Sequence, residues 1–265
     1  TQRCGWLYGY YLADANFPDG FRAVVEAIYE PPQTCENDET ILLPDPLKAA
    51  LVEPIIAELG LEPVGFIFTS LARGTDHLMN SRELCRSANF QMQHASNEHY
   101  TKYTLSKFTT CIVHPDMEKE GAPQTDVFMV SDQLCGMIRD GLIDKDESMQ
   151  TNLKRMQLRK ALPGEIQPQV LEAGKSAAND FDPDWFVVKV NSGAPVLPKS
   201  FFAHAHFPRE NRPGLPQFRS DLKRYFAKCP SQEPNWMKLA DFHLLLFIAN
   251  AFDLETAKVL CRAVR

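Results

Sequence analysis

The chain has 265 residues, of which 44% are hydrophobic and 23% charged, with a formal net charge of −6 at pH 7. This is the composition of a folded globular protein with room for one large domain or two modest ones, which excludes a disordered or fibrous chain. No basic run exceeds two or three residues, so nucleic acid and anionic membrane are not expected partners.

Gly5 to Leu12 reads as a strand, Phe17-Pro18-Asp19-Gly20 as a turn and Phe21 to Tyr29 as a second strand, stopped by Glu30-Pro31-Pro32-Gln33. Two strands across a turn predict an antiparallel pair. Asp45 and Pro46 have the character of an N-cap and first helical residue, and Gly60 that of a C-terminal stop. Between them Leu47, Leu51, Ile55 and Leu59 suggest one apolar stripe, and Pro54 is expected to kink or break the helix.

Val64-Gly65-Phe66-Ile67-Phe68-Thr69-Ser70 is a short β-branched and aromatic run. It reads as a buried central strand. Asn80 to about Gln93 is the next helix, with Leu84, Cys85, Ala88 and Met92 inward and capping-box spacing between Asn80 and Glu83. Tyr103 to Val113 and Val127 to Val130 read as strands, with His114 to Asp126 as the loop between them, broken by Pro115 and Pro123. Ser131 caps a helix to about Leu142 that turns Leu134, Ile138 and Leu142 to one side.

From Ile143 to Asp180 the pattern becomes polar and weakly periodic, which marks a boundary. Beyond it come a strand from Trp185 to Val190, proline-rich loops from Pro195 to Pro216, and a short helix from Ser220 to Cys229. A strongly apolar helix follows from Trp236 to Ala251, then a last one from Asp253 to Val264. No internal repeat is present. The densest apolar stretch, Phe242 to Phe252, is too short to span a bilayer. No signal peptide opens the chain, and a start at Thr1 rather than Met suggests a piece of a longer protein. The seven cysteines are Cys4, Cys35, Cys85, Cys111, Cys135, Cys229 and Cys261. They are odd in number, widely spaced and never Cys-x-x-Cys, which predicts buried reduced thiols in a nuclear or cytosolic protein and no cysteine zinc site.

Few residues suggest chemistry. His204-Ala205-His206 would share one face of a strand and could grip a metal. No third ligand is evident, so the pair reads as exposed polar loop residues. His243, near the start of an apolar helix, reads as a hydrogen-bonded structural histidine. The aromatics Phe201, Phe202 and Phe207 sit among prolines and polar residues and fit either an exposed patch or a core. Gly-x-Ser-x-Gly and phosphate-loop patterns are absent.

Several stretches point to a family. They are Gly5-Trp6-Leu7-Tyr8-Gly9, Ala27-Ile28-Tyr29-Glu30-Pro31-Pro32-Gln33, Leu59-Gly60-Leu61, Val64 to Thr69, Phe90-Gln91, Ser106-Lys107-Phe108, Val130-Ser131-Asp132-Gln133, Phe207-Pro208-Arg209-Glu210-Asn211-Arg212 and Asp241-Phe242-His243-Leu244-Leu245-Leu246-Phe247. In this order they resemble the nuclear protein localization protein 4 homolog family, from end to end of the chain. The resemblance is weak only from Asp144 to Asp180.

The resemblance implies a fold and a division. The fold is α/β in the mixed α+β sense: an MPN/JAMM-like core with a mixed sheet flanked by helices, plus a smaller mixed C-terminal domain ending in a helical hairpin. The division is a metal-free MPN-like domain at 1–145 and a family-specific domain at 146–265. In a JAMM zinc isopeptidase the central strand ends in Gly-Trp-Tyr-His-Ser-His-Pro, and its two histidines hold zinc. Phe68 and Ser70 fall at those positions here, Gln2 at the catalytic glutamate, Glu83 near the ligand aspartate and Asn80 near the serine. One carboxylate cannot hold zinc or activate water.

The implied function is a non-catalytic adaptor without cofactor. It binds polyubiquitin and ubiquitinated substrates and works with ubiquitin fusion degradation protein 1 on the valosin-containing AAA ATPase, in ubiquitin-dependent protein catabolism including degradation from the endoplasmic reticulum. Cytoplasm and nucleus are the implied places, with peripheral association at the endoplasmic reticulum. The alternatives are a zinc-dependent JAMM isopeptidase, opposed by Gln2, Phe68 and Ser70, and a structural MPN subunit without ubiquitin contact. The sequence does not name the ubiquitin-binding residues.

Overall fold

A computed structural model describes residues 2–36, 39–70, 78–98, 104–116, 119–143, 155–166, 180–193 and 200–265. They fall into two compact units, one joining residues 1–71 to 193–265 and the other made of residues 72–192. The architecture is mixed α+β, with sheets flanked by helices and a helical hairpin at the C-terminal end. No helix among the described residues is long and apolar enough to cross a membrane.

The first unit opens with β1 (Cys4–Ala13) and β2 (Phe21–Tyr29), an antiparallel pair running from Trp6 opposite Tyr29 to Ala13 opposite Phe21. Its register slips between Tyr8 and Gly9. A Cβ at position 9 would lie 1.7 Å from the Val24 carbonyl oxygen, so only glycine fits there. The antiparallel pair β3 (Gln33–Glu36) and β4 (Glu39–Leu42) follows, then α1 (Pro46–Leu59). Asp45 caps α1 by accepting the Lys48 N–H, and Gly60, at φ 71°, returns its own N–H to Ala57 and Ile56. β5 (Glu62–Thr69) then runs antiparallel beside β1.

The second unit begins with α2 (Ser81–Gln93) and continues through β6 (Ala95–Glu98), β7 (Thr104–Ser106), β8 (Thr109–Asp116), β9 (Ala122–Val130) and α3 (Asp132–Arg139). It ends with β10 (Met156–Gln157), β11 (Asp180–Phe181), a 3₁₀ turn at Pro183–Phe186 and β12 (Val187–Val190). β8, β9 and β12 pair antiparallel in that order. Gln91 bolts α2 to β9: its amide donates to the Val130 carbonyl at 2.8 Å and accepts the Val130 N–H at 3.0 Å.

The chain re-enters the first unit for α4 (Arg219–Lys228), α5 (Asn235–Lys238), α6 (Phe242–Ala251) and α7 (Leu254–Val264). α6 is buried on nearly every side and packs with Ala27 and Tyr29 of β2, Val52 to Leu59 of α1, Phe202, Phe207 and Tyr225 in one apolar core. Phe202 and Phe207 are thus core residues. Phe201 packs against them half-buried, its ring edge-on to Phe202 at 5.2 Å.

Local readings hold where the signal is local and shift where packing decides. α1 buries Val52, Ile55, Ile56 and Leu59, while Leu47 is 81% exposed. A strict four-residue repeat advances by about 400° per step, so it drifts off one face by about 40° each time. The helix also runs through Pro54 without a break, because the residues buried on either side of it hold both halves against the core. The strand expected at Tyr103 to Val113 is two, divided at Lys107–Phe108: Phe108 is buried, stacks on His94 at 4.6 Å and gives its N–H to the Ser106 hydroxyl. Tyr103 itself lies outside the described residues.

The expected loop from His114 to Asp126 contains the ends of β8 and β9 instead. Pro115 stands opposite Pro123, so the two residues without an N–H meet at one position of the ladder. Trp185 belongs to the 3₁₀ turn rather than to β12. The boundary expected within 143–180 falls mostly on residues outside the described set. The helix expected at Trp236 to Ala251 is interrupted at Asp241, which restarts it as the N-cap of α6.

Candidate functional site

Three of the residues singled out in the sequence lie in or beside the paired ends of β1 and β5. Cys4 pairs with Phe68, and Arg3 exchanges hydrogen bonds with Thr69: its N–H donates to the Thr69 hydroxyl at 2.7 Å and its carbonyl accepts the Thr69 N–H at 2.8 Å. Gln2 and Ser70 lie just beyond the paired ends of the two strands. Cross-strand partners point the same way, as do residues two apart on one strand. Phe68 therefore faces the side of Cys4, and Gln2, Phe68 and Ser70 are all buried. Phe68 lies among aromatics, 6.4 Å from the Phe66 ring, with Trp6 edge-on to Phe66 at 5.2 Å. An amide, a phenyl ring and a hydroxyl offer no imidazole and no carboxylate to a metal.

Asn80 and Glu83 lie in the second unit and form a reciprocal capping box. The Asn80 side chain accepts the Glu83 N–H at 2.8 Å, and the Glu83 carboxylate accepts the Asn80 N–H at 3.0 Å. One Glu83 oxygen is thereby committed to starting α2.

A second arrangement in the first unit joins stretches remote in sequence. The Glu30 carboxylate is 6% exposed and receives three guanidinium groups: Arg3 at 2.9 Å, Arg209 at 3.1 Å and Arg212. Asn211 donates its side-chain N–H to the Glu30 carbonyl at 2.8 Å and accepts from the Lys48 ammonium. Burial works to raise the Glu30 carboxyl, but the hydrogen bonds and charges of Arg3, Arg212 and Arg209 outweigh it and hold the group below the usual carboxylate range. Gln33 closes the same corner, accepting the Cys4 N–H at 2.7 Å and donating to the Cys4 carbonyl at 2.8 Å. His243 is buried, with Nδ1 2.8 Å from Glu210.

Of the His204–His206 pair, the structure uses the two members differently. His206 is exposed and stacks on the Tyr225 ring at 4.4 Å. His204 is held by its backbone N–H to the Ala240 carbonyl at 3.0 Å, with ring Nε2 2.8 Å from the Glu233 carboxylate. Cys229 completes a group in which one ligand atom from each of His204, Cys229 and Glu233 lies within 4.8 Å of the others. Burial, with Glu233 nearby, pushes the Cys229 thiol up, and it points at the Tyr225 carbonyl at 3.6 Å. Cys229 closes α4 and Glu233 lies in the following turn, at spacings from His204 that match no linear motif. Only the fold could reveal them. No disulfide joins the cysteines among the described residues.

The NPL4 family profile matches residues 3–265. Among curated proteins, Nuclear protein localization protein 4 of Lodderomyces elongisporus is 30% identical over 295 positions, covering 100% of this chain and 48% of its own length. The homolog from Dictyostelium discoideum is 32% identical, covering 93% of this chain and 37% of its own. The homolog from Homo sapiens is 29% identical, covering 94% and 44%. The chain spans about half the length of the curated relatives it matches.

Proposed function

The chain belongs to the NPL4 family, and from that premise we propose that it is a non-catalytic adaptor that binds polyubiquitin and ubiquitinated substrates for the valosin-containing AAA ATPase, together with ubiquitin fusion degradation protein 1. The observation that carries this reading is the family match over nearly the whole chain. The MPN-like character of the fold agrees with it, and so do Gln2, Phe68 and Ser70. These offer neither metal ligands nor a general base where an isopeptidase would need them. On this reading residues 1–145 are a metal-free MPN-like domain, residues 146–265 a family-specific domain, and Gln2, Phe68, Ser70, Asn80 and Glu83 the remnants of a JAMM site. The protein works in the cytoplasm and nucleus.

A linked ubiquitin chain gains over a single ubiquitin by effective concentration when several weak contacts are made. Calorimetry of the 265-residue chain with tetraubiquitin and with monoubiquitin tests the adaptor reading. Tighter binding of the tetramer is expected. Equal affinity overturns the preference for chains on which the reading depends, and no binding of either leaves a structural subunit without ubiquitin contact.

A further inference from the structure

We propose that His204, Cys229 and Glu233 form a binding site for a zinc-class divalent cation, which staples the loop bearing His204 to the end of α4. The site is separate from the remnant JAMM positions, and it departs from the metal-free reading of His204 and His206 in the sequence. Imidazole, thiolate and carboxylate are each established zinc donors, at about 2.0–2.3 Å. Around one tetrahedral ion such donors stand roughly 3.3–3.8 Å apart. Here the three donor atoms already lie within 4.8 Å of one another. Closing on an ion takes adjustments on the order of 1 Å, within the reach of side-chain torsions.

The donors hang from backbone that is already fixed. The His204 N–H is held by the Ala240 carbonyl. Cys229 is the C-terminal cap of α4, whose Tyr225 is buried and donates its hydroxyl to the Lys238 carbonyl at 2.9 Å. Glu233 sits in a turn closed by its own N–H to the Pro230 carbonyl at 3.2 Å. The site therefore requires no reordering of the chain, which limits the entropy lost on binding.

Ligand type selects the ion. A thiolate and an imidazole disfavour magnesium and calcium, which take oxygen ligands, and suit zinc or its spectroscopic substitute cobalt. Charge balances as well, since one thiolate and one carboxylate neutralise the dication while His204 stays neutral. On binding, the Cys229 thiol proton goes to solvent, and the His204–Glu233 hydrogen bond is exchanged for two metal bonds. His206 stacks on Tyr225, its ring centroid 5.2 Å from that of His204, and is not counted among the ligands. Water takes the fourth position.

The test uses the 265-residue chain after chelator treatment, titrated with Co²⁺ and with Zn²⁺ against a chromophoric competitor. One equivalent of Zn²⁺ is expected, a thiolate-to-cobalt charge-transfer band, and a thermal midpoint that rises with zinc. Cys229→Ser should abolish the band, and Glu233→Gln should weaken zinc binding at least tenfold. Cys35→Ser should leave both unchanged. If Cys229→Ser does not fold, His204→Gln takes its place and should also weaken zinc at least tenfold. Absence of a stoichiometric band in the wild-type chain, or a band that survives Cys229→Ser, overturns the proposal.

Discussion

One carboxylate oxygen of Asp241 accepts the backbone N–H of Phe207 at 3.0 Å. The same oxygen accepts the His206 N–H at 3.0 Å, while the other takes those of His243 and Leu244 at 3.0 and 3.2 Å. Asp241 is fully buried. A single side chain thus starts α6 and anchors the loop that delivers Phe207 to the core. Asp241→Ala should cost about 3–5 kcal/mol, from a lost N-cap plus buried amides left without acceptors. Urea unfolding measures it, and a loss below about 1 kcal/mol would mean that water replaces the carboxylate.

Glu30 gives a pH dependence of definite sign. Its folded pKa lies below the usual carboxylate range. The stability it contributes is therefore fully present above the unfolded value, about 4.3, and is lost as pH falls through the lower folded value. Glu30→Gln should be clearly destabilising at pH 7, where Arg3, Arg209 and Arg212 are left converging without their counter-charge. The gap between wild type and variant should narrow by pH 3. Urea midpoints at both pH values that differ by the same amount would show that the carboxylate charge contributes nothing.

What was legible had local signals: the β1–β2 pair across its turn, Asp45-Pro46 with Gly60, the Asn80–Glu83 box, and the β-branched and aromatic run of β5. What was hidden depends on residues far away in the chain. The break before α6 follows from Asp241 serving amides at 206 and 207, which the largely apolar stretch from Trp236 onward masks. Tyr29-Glu30-Pro31-Pro32-Gln33, Phe207 to Arg212 and Asp241 to Phe247 stand out in the sequence as separate motifs. In the structure they lock one another, through Glu30 with Arg209 and Arg212, Glu210 with His243, and Asp241 with Phe207. Their specificity is thus largely that of a folding corner. Cys229 and Glu233 carried no signal at all, since only tertiary packing sets them against His204.

Phe68→Ala tests how far β5 is core. Phe68 is 3% exposed, paired with Cys4 and flanked by Phe66. Truncation should cost roughly 3–5 kcal/mol through lost burial and the cavity left behind. A change in melting midpoint equivalent to less than about 1 kcal/mol would show that the neighbouring side chains collapse into the space.

Replacing Phe68 and Ser70 together by His tests the loss of catalysis in the proposed JAMM remnant. The alternation that buries Val64, Phe66 and Phe68 carries on to Ser70, so both imidazoles would leave the same face of the chain. Two nitrogens on one face can hold zinc, but weakly, since no outer hydrogen bonds orient them. Hydrolysis of an isopeptide bond further requires a group that takes a proton from the metal-bound water and returns it to the leaving amine. Gln2, at the position taken for the catalytic glutamate, is an amide and cannot do this. The double variant should therefore bind zinc weakly at most, lose stability as a polar ring replaces Phe68 in the core, and leave ubiquitin chains intact in a gel-based cleavage assay. The cysteine cluster is removed from the readout by making the change in a Cys229→Ser background. Turnover of ubiquitin chains with Gln2 in place would show that the proton is handled by another residue and that these positions are not the remnant they are taken to be.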